Sequence, residues 1–217
     1  MIITIDGPAG TGKSTVSRLL AERLSYPVIY SGLYYRAIAA YLIQEELLVQ
    51  VEVIKAIENI VVKSDKEVKV NGKDVSSQLR APEVDRLSSK ISQLLVVREK
   101  VGEVIKKEAK NYEGLVAEGR DMGSVVFKDA DLKVYLDASL SERAHRRYLE
   151  DVGEGNLNLD EVLAEIRKRD EEDSQRKISP LIIPSDAFYI DTTEMEVNQV
   201  VEVITNKITQ LKVKGSR

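Results

Sequence analysis

The chain of 217 residues carries 32 Lys and Arg against 36 Asp and Glu, a net charge of −4, with one histidine and no cysteine. Disulfides, cysteine-ligated zinc and a thiol nucleophile are therefore excluded, and nothing in the overall charge favours nucleic acid or an anionic membrane as a partner. No apolar run approaches the ~18 residues of a membrane span. We expect a cytoplasmic protein with one α/β core and small appendages.

The first fifteen residues, MIITIDGPAGTGKST, predict a short buried strand that runs directly into a turn. The turn and the start of the next helix comprise Gly7, Pro8, Ala9, Gly10, Thr11, Gly12, Lys13, Ser14 and Thr15. Residues 7–14 match G-x-x-x-x-G-K-[ST], the phosphate loop, whose backbone N–H groups surround phosphates. Lys13 adds a cation, and the Ser14 hydroxyl is a ligand for Mg²⁺. Because this strand starts at Met1, we also expect no signal peptide.

A second short strand is predicted over 26–30, followed by Ser31 and a helix that carries Tyr35 and Arg36 and continues to Leu48. Arg36 lies in the first turns of that helix, where a cation gains nothing from the helix dipole. It is therefore a candidate for an anion site, with a solvated surface arginine as the alternative.

Residues 59–75 change to a period of two, and Asn71-Gly72 predicts a hairpin turn. This pattern indicates a small antiparallel appendage. Pro82 then opens a helical stretch in which Ser92 and Arg98 lie, on the way to a charged helix that ends near Lys110.

The next predicted strand, residues 115–117, delivers Arg120 and Asp121 to its carboxyl end. That edge of an open parallel sheet is where ligands bind. A plain surface ion pair between Arg120 and Asp121 is the alternative.

After a strand over 132–136, Ser141 is predicted to cap a helix, and a second helix runs from Leu159 to Lys177. These two helices carry five of the candidate residues: Arg143, Arg147, Arg169, Asp173 and Arg176. The Gly-rich segment 153–156 joins the helices, which indicates a mobile lid. Two solvated helices rich in i,i+4 pairs are the alternative.

A fifth strand over 188–190 and a helix over 197–211 complete the pattern, with a frayed tail over 213–217. Five buried strands that alternate with helices predict an α/β, doubly wound parallel sheet of the P-loop NTPase type. We expect this five-stranded sheet to be flanked by helices, with a small antiparallel β insertion and a helical lid.

A phosphate loop combined with arginines at the sheet edge and on a lid favours phosphoryl transfer over hydrolysis. A phosphate acceptor is largely ionised at neutral pH and needs no general base. Two alternatives stay open: a kinase that acts on a hydroxyl with Asp121 as base, and a nucleotide switch, although no N-K-x-D-like element is found.

The chain resembles bacterial-type cytidylate kinases. The matching segments are the phosphate loop with Ile5 and Asp6, S-G-L-Y-Y-R at 31–36, V-N-G-K-D-V at 70–75, G-R-D-M-G-S-V-V-F at 119–127, E-R-A-H-R-R at 142–147, residues 169–176 and S-P-L at 179–181. The resemblance implies transfer of the γ-phosphoryl group of ATP to CMP or dCMP with Mg²⁺, by a monomer. It also implies a single domain with core residues 1–30, 111–138 and 178–217, a CMP-binding region over 31–110 and a lid over 139–177.

The resemblance also implies roles for individual residues. Arg36, Arg120 and Arg176 would hold the CMP phosphate, and Asp173 and Arg169 would meet the ribose. Ser92, Arg98 and Asp121 would read cytosine, with Ser31 and Tyr35 nearby in the substrate site, and Arg143 and Arg147 would cover ATP.

Overall fold

The computed structural model describes residues 1–64, 67–151 and 158–215. The strands in chain order are β1 (Ile2–Asp6), β2 (Val28–Tyr30), β3 (Ile60–Ser64), β4 (Glu67–Val70), β5 (Lys73–Asp74), β6 (Leu115–Glu118), β7 (Leu132–Asp137) and β8 (Phe188–Asp191). The α-helices are α1 (Lys13–Leu24), α2 (Ser31–Gln44), α3 (Val51–Lys55), α4 (Pro82–Ile91), α5 (Leu95–Ala109), α6 (Leu140–Asp151), α7 (Leu159–Gln175) and α8 (Val197–Gly215). Ser76–Gln78 form a 3₁₀ turn and Met122–Val126 a π-helical turn.

The chain divides into two compact units. The first unit comprises Met1–Ile29 and Glu113–Arg217, and the second comprises Tyr30–Tyr112. None of the helices within the described ranges is long and apolar enough to cross a membrane.

The first unit is built on a five-stranded sheet in the order β2-β6-β1-β7-β8. Strand β1 lies at its centre, and Ile3 pairs in parallel with Val116 on one side and with Leu132 on the other. Ile3 and Ile5 are fully buried, as both faces of a parallel sheet require. The predicted fold class, a five-stranded parallel sheet flanked by helices, is confirmed.

Helices α1 and α8 pack together beside this sheet. Their apolar stripes, which include Val16, Leu20, Val200 and Ile204, are buried in one core cluster with the β-branched residues of the strands. Helices α6 and α7 pack against each other and enclose a smaller cluster of their own. The carboxyl ends of β1 and β6 therefore lie beside a packed apolar core.

The second unit combines a three-stranded antiparallel sheet, β3-β4-β5, with helices α2 to α5. The predicted hairpin is present, with Asn71 and Gly72 both at positive φ between β4 and β5. The Asn71 side chain also accepts hydrogen bonds from the backbone N–H groups of Glu58 and Asn59 at 2.9 and 3.1 Å. Asparagine tolerates the left-handed conformation and here fastens the hairpin to the preceding segment.

The helix that was expected to reach Leu48 ends at Gln44 instead. Glu46 adopts a left-handed conformation with φ 54°, and the N–H of Leu47 bonds back to the carbonyl of Leu42 at 2.8 Å. This is the hydrogen-bond pattern of a Schellman end, formed here without the usual glycine. The prediction failed because apolar residues continue past the true end of the helix.

Ser141 does not cap α6, because the helix begins at Leu140 and the hydroxyl of Ser139 accepts from the N–H of Glu142 at 3.3 Å. At the carboxyl end of the chain, α8 continues to Gly215, so the segment from Val213 to that residue is helical where fraying was expected. The glycine-rich segment 153–156 lies outside the described residues.

Candidate functional site

The phosphate loop, residues 7–14, joins β1 to α1, and glycine is required at two of its positions. At Gly7, with φ 147°, an added Cβ would lie 2.0 Å from the backbone oxygen of Leu136. At Gly10, with φ 76°, it would lie 2.7 Å from the backbone oxygen of Arg143. The loop therefore packs against β7 and α6 at distances that exclude any side chain.

The Lys13 side chain is folded back into the phosphate loop. Its ammonium donates to the carbonyl of Pro8 at 2.5 Å and contacts the Thr11 hydroxyl at 3.4 Å. Burial, followed by the charge of Arg120, lowers the pKa of Lys13 to about 7, while the Glu118 carboxylate opposes the change. A bound phosphate would favour the charged ammonium again.

Glu118 is a site residue that the sequence reasoning missed. It ends β6, the strand beside β1, and its Oε2 accepts from the Ser14 hydroxyl at 3.1 Å. A hydroxyl and a carboxylate oxygen are hard ligands of the kind that Mg²⁺ prefers. An acidic residue at the end of the strand next to the phosphate loop was the available signal. Within the described ranges no group of three or more acidic, histidine or cysteine side chains forms a complete metal site.

Asp6, the last residue of β1, anchors the segment that carries Asp121. Its two carboxylate oxygens accept from the backbone N–H groups of Met122 at 2.9 Å and Gly123 at 2.7 Å. These two residues open the π-helical turn, a rare conformation that often occurs at functional sites. Burial raises the pKa of Asp6 to about 7, with smaller contributions from the charges of Asp121 and Glu118 and in spite of the two hydrogen bonds.

Arg120 and Arg176 converge on one carboxylate, that of Asp173. The Arg120 Nε donates to Asp173 Oδ2 at 3.0 Å, and the Arg176 Nη1 donates to Asp173 Oδ1 at 2.9 Å. Arg176 also donates from Nε to the carbonyl of Ser179 at 2.5 Å. We call these three side chains the arginine cluster.

One detail of the arginine cluster differs from the sequence prediction. Helix α7 ends at Gln175, so Arg176 follows the helix in an extended conformation with φ −63° and ψ 139°. It still reaches Asp173. The structure thus brings Arg120 and Arg176, two of the three arginines expected at the CMP phosphate, onto Asp173, which was expected at the ribose. Arg120 is paired with Asp173, and Asp121 is buried.

Three arginines of α6 and α7 differ in their exposure. Arg143 is buried and donates to the carbonyls of Ala138 and Ala9 and to the carboxylate of Asp170. Arg147 lies one turn later on α6 and is exposed, and Arg169 is exposed on α7 but near enough to lower the pKa of Lys13. Arg143 therefore contacts the phosphate loop itself, a contact that its sequence position did not predict.

In the second unit, Arg36 is paired with a carboxylate. Its guanidinium donates to the carbonyl of Leu79 at 2.9 Å and to Asp85 at 2.5 Å. The sequence did not indicate this partner, because Asp85 lies on a different helix, α4.

Tyr35 and Arg98 also lie in the second unit and are in contact. Arg98 is buried, donates from Nη1 to the Tyr35 hydroxyl at 3.2 Å, and its guanidinium carbon lies 5.5 Å from the centre of the tyrosine ring. Ser31 is buried as the first residue of α2. Ser92 follows the end of α4 and donates to the carbonyl of Ser89 at 2.8 Å.

Comparisons with known proteins show the family of this chain. The family model for cytidylate kinase matches residues 3–210. A cytidylate kinase of Pseudomonas putida is 41% identical over 96% of this chain and 96% of its own. One of Caldanaerobacter subterraneus subsp. tengcongensis is 44% identical over 95% of this chain and 93% of its own.

A likeness in structure supports the fold alone. An uncharacterized protein from Eubacterium ventriosum superposes with a TM-score of 0.56 at 13% identity, covering 97% of this chain and 98% of that chain. The sequence matches go further, because they span nearly the whole length at about 40% identity. The chain belongs to the cytidylate kinase family.

Proposed function

We propose that the phosphate loop holds the β- and γ-phosphates of ATP and that the arginine cluster receives the phosphate of CMP or dCMP. As a member of the cytidylate kinase family, the protein is a phosphotransferase that moves the γ-phosphoryl group of ATP to CMP or dCMP. The observation that carries the residue assignment is the arginine cluster. Two guanidiniums from different segments of the first unit already enclose one anion, the Asp173 carboxylate.

At the donor side, Lys13 supplies the cation for the phosphates of ATP, and the N-terminus of α1 follows it directly. Gly12 precedes this helix without a side chain to cap it, so the first N–H groups face no competing side-chain oxygen from that position. Ser14 and Glu118 would hold Mg²⁺. When bound there, the ion neutralises charge that develops on the β- and γ-oxygens during transfer.

At the acceptor side, Arg120 and Arg176 hold the CMP phosphate. An Arg–phosphate pair is frequently bidentate, which fixes the direction of the attacking oxygen as well as adding affinity. Asp173 orients both guanidiniums and, with Arg169, is assigned to the ribose. Correct positioning and cations carry most of the rate in this chemistry.

The reaction needs no general base from the protein, because the second pKa of a phosphate monoester is near ~6 and the CMP phosphate is ionised at neutral pH. We therefore assign Asp121 to recognition of the base. A carboxylate accepts a hydrogen bond from the cytosine N4 amino group and repels the O4 of uracil. Arg143 and Arg147 are assigned to ATP.

The second unit contributes further residues to the proposal. Arg36 is assigned to the CMP phosphate, Ser92 and Arg98 to cytosine, and Ser31 and Tyr35 to the surroundings of the nucleotide. Their support is the family match together with two buried members, Ser31 and Arg98. A cytoplasmic location and a monomeric state stay predictions from the sequence.

The test is an ADP-release assay with CMP, dCMP, UMP, AMP and GMP as acceptors, for the wild type, Asp121→Asn and the matched control Asp129→Asn, which changes an exposed carboxylate. We expect ADP to form with CMP and dCMP and not without an acceptor. A charge-assisted hydrogen bond contributes about 1.5–3 kcal/mol, so Asp121→Asn should lower the CMP/UMP ratio of kcat/KM by roughly ten- to a hundredfold.

Two results would contradict the proposal. ADP formed at the same rate without any acceptor would indicate a hydrolase or a nucleotide switch. An unchanged CMP/UMP ratio in Asp121→Asn, with both substrates weakened equally, would move Asp121 from base recognition to a positioning or magnesium-linked role.

A further inference from the structure

The third residue of the phosphate loop, Ala9, has both of its backbone polar groups bound by one pair of side chains. Its N–H donates to Asp170 Oδ1 at 3.2 Å, and its carbonyl accepts from Arg143 Nη1 at 3.0 Å. Arg143 and Asp170 are themselves an ion pair, with side chains that are 9% and 18% exposed. Asp170 is not among the residues that the sequence resemblance assigned to the site.

The pair is held from the helix side as well. Arg143 Nε donates to the carbonyl of Ala138 at 2.9 Å, which fixes the plane of its guanidinium. The methyl group of Ala9 packs against the apolar cluster between α6 and α7, which contains Ala144 and Ile166. The position of Ala9 is therefore determined by α6 and α7 through both polar and apolar contacts.

These contacts set the orientation of two successive peptide planes in the loop. In a trans peptide the C=O and N–H groups point in opposite directions. Because the N–H of Ala9 points to Asp170, the Pro8 carbonyl points the other way, and there it accepts from the Lys13 ammonium at 2.5 Å. Because the Ala9 carbonyl points to Arg143, the N–H of Gly10 points away from that guanidinium.

We propose that Asp170, through its ion pair with Arg143, is a positioning residue for the donor nucleotide that orients the N–H groups of the phosphate loop and the ammonium of Lys13. The proposal rests on the proposed function, in which this loop binds ATP. The two carboxylate oxygens of Asp170 bind the Ala9 N–H and the Arg143 guanidinium. Asp170 acts through the backbone of residues 8–10.

Because Asp170 is charged, an electrostatic role and a positioning role predict opposite changes in the Kd of ATP. A carboxylate beside an anion site repels the ligand, so a purely electrostatic role predicts that Asp170→Asn binds ATP more tightly. A positioning role predicts the opposite, because the amide cannot pair with Arg143 as a carboxylate does and both peptide planes lose their restraint. We expect the Kd of ATP, measured by calorimetry on the full chain, to rise about tenfold.

The matched control is Glu171→Gln, the same change of charge at the next, exposed residue of α7, for which we expect an ATP Kd within twofold of the wild type. The KM of CMP is measured in parallel. Since α7 also carries Asp173 of the arginine cluster, general damage to α7 would raise the KM of CMP together with that of ATP. A positioning role leaves the KM of CMP within twofold.

If thermal melting shows that Asp170→Asn does not fold, the Kd of ATP is measured for Asp170→Glu instead. This variant retains the charge and displaces the carboxylate by one methylene. We then expect a severalfold weaker Kd for ATP at a melting temperature near that of the wild type. An unchanged or tighter Kd in the folded variant, or equal increases in the two KM values, overturns the inference alone. Wild-type protein that binds no ATP overturns the proposed function together with this inference.

Discussion

The phosphate loop and the arginine cluster are both anion sites, but they are built in different ways. The loop is continuous in sequence and is shaped by backbone geometry, with Gly7 and Gly10 packed too closely on β7 and α6 to carry a side chain. The arginine cluster joins side chains 53 residues apart and balances two cations with one carboxylate, Asp173. The loop is thus fixed by close backbone packing and by side chains outside it that bind its Ala9 backbone, whereas the side chains of the arginine cluster hold one another by ion pairs.

The largest effect should come from Lys13→Met, which removes the single side-chain cation of the phosphate loop. A preorganised donor toward the developing charge is worth about 10²–10³ in rate, and we expect kcat to fall by that factor. The fold should persist, because the loop is defined by backbone packing and the variant removes a buried charge. ADP release and circular dichroism melting measure the two effects, with the exposed Lys128→Met as the control.

Near-normal turnover in Lys13→Met would show that the backbone N–H groups alone carry the loop's catalysis. Loss of the folded state would show that the fold depends on the Lys13 side chain as well as on backbone packing of the loop. Either result would remove the contrast between the two sites.

A smaller effect is expected at the arginine cluster from Arg176→Ala. A charged hydrogen bond lost to the CMP phosphate corresponds to roughly a ten- to hundredfold increase in the KM of CMP. The KM of ATP should stay within about twofold, since Arg120 keeps Asp173 paired. Steady-state kinetics with each substrate varied in turn measures both values, and Lys177→Ala, the exposed neighbouring cation, is the control.

Equal increases in both KM values would contradict an acceptor-specific cluster. They would indicate instead that Arg176 stabilises the first unit through its hydrogen bonds to Asp173 and Ser179.

The same contrast explains how much of the molecule could be predicted from the sequence. The loop, the buried strands and the Asn71-Gly72 hairpin depend on residues close together in the chain. There, runs of β-branched residues predict strands, and glycines predict turns. The five-stranded parallel sheet followed from that alternation and is confirmed. Local rules were weaker at helix ends, as the left-handed Glu46 and the cap at Ser139 demonstrate.

What the sequence could not indicate are the carboxylate partners of the arginines. Asp85 for Arg36 and Asp170 for Arg143 come from other helices, and nothing in the local pattern selects them among 36 acidic residues. The π-helical turn after Asp121 was missed as well. It depends on Asp6, 116 residues away from Met122, whose carboxylate accepts the N–H groups that open the turn.

Asp6 contacts the surroundings of both the phosphate loop and the arginine cluster. It ends β1 directly before the loop, and it binds the backbone that follows Arg120 and Asp121. Burial raises its pKa from 3.8 to about 7. The folded state therefore binds this proton more tightly than the unfolded chain, and the free energy of unfolding should fall as the pH rises from about 4 to about 7. The limiting slope for one group is about 1.4 kcal/mol per pH unit.

Asp6→Asn replaces the carboxyl group with a neutral amide of nearly the same shape and removes this titration. We expect the wild-type free energy of unfolding, relative to that of the variant, to decline across this pH range and to level off above it. Urea unfolding of both proteins at several pH values between about 4.5 and 8 measures the difference. Parallel curves would mean that Asp6 is ionised in the folded protein throughout the range. The N–H groups of Met122 and Gly123 would then stabilise the Asp6 carboxylate enough to offset the cost of its burial.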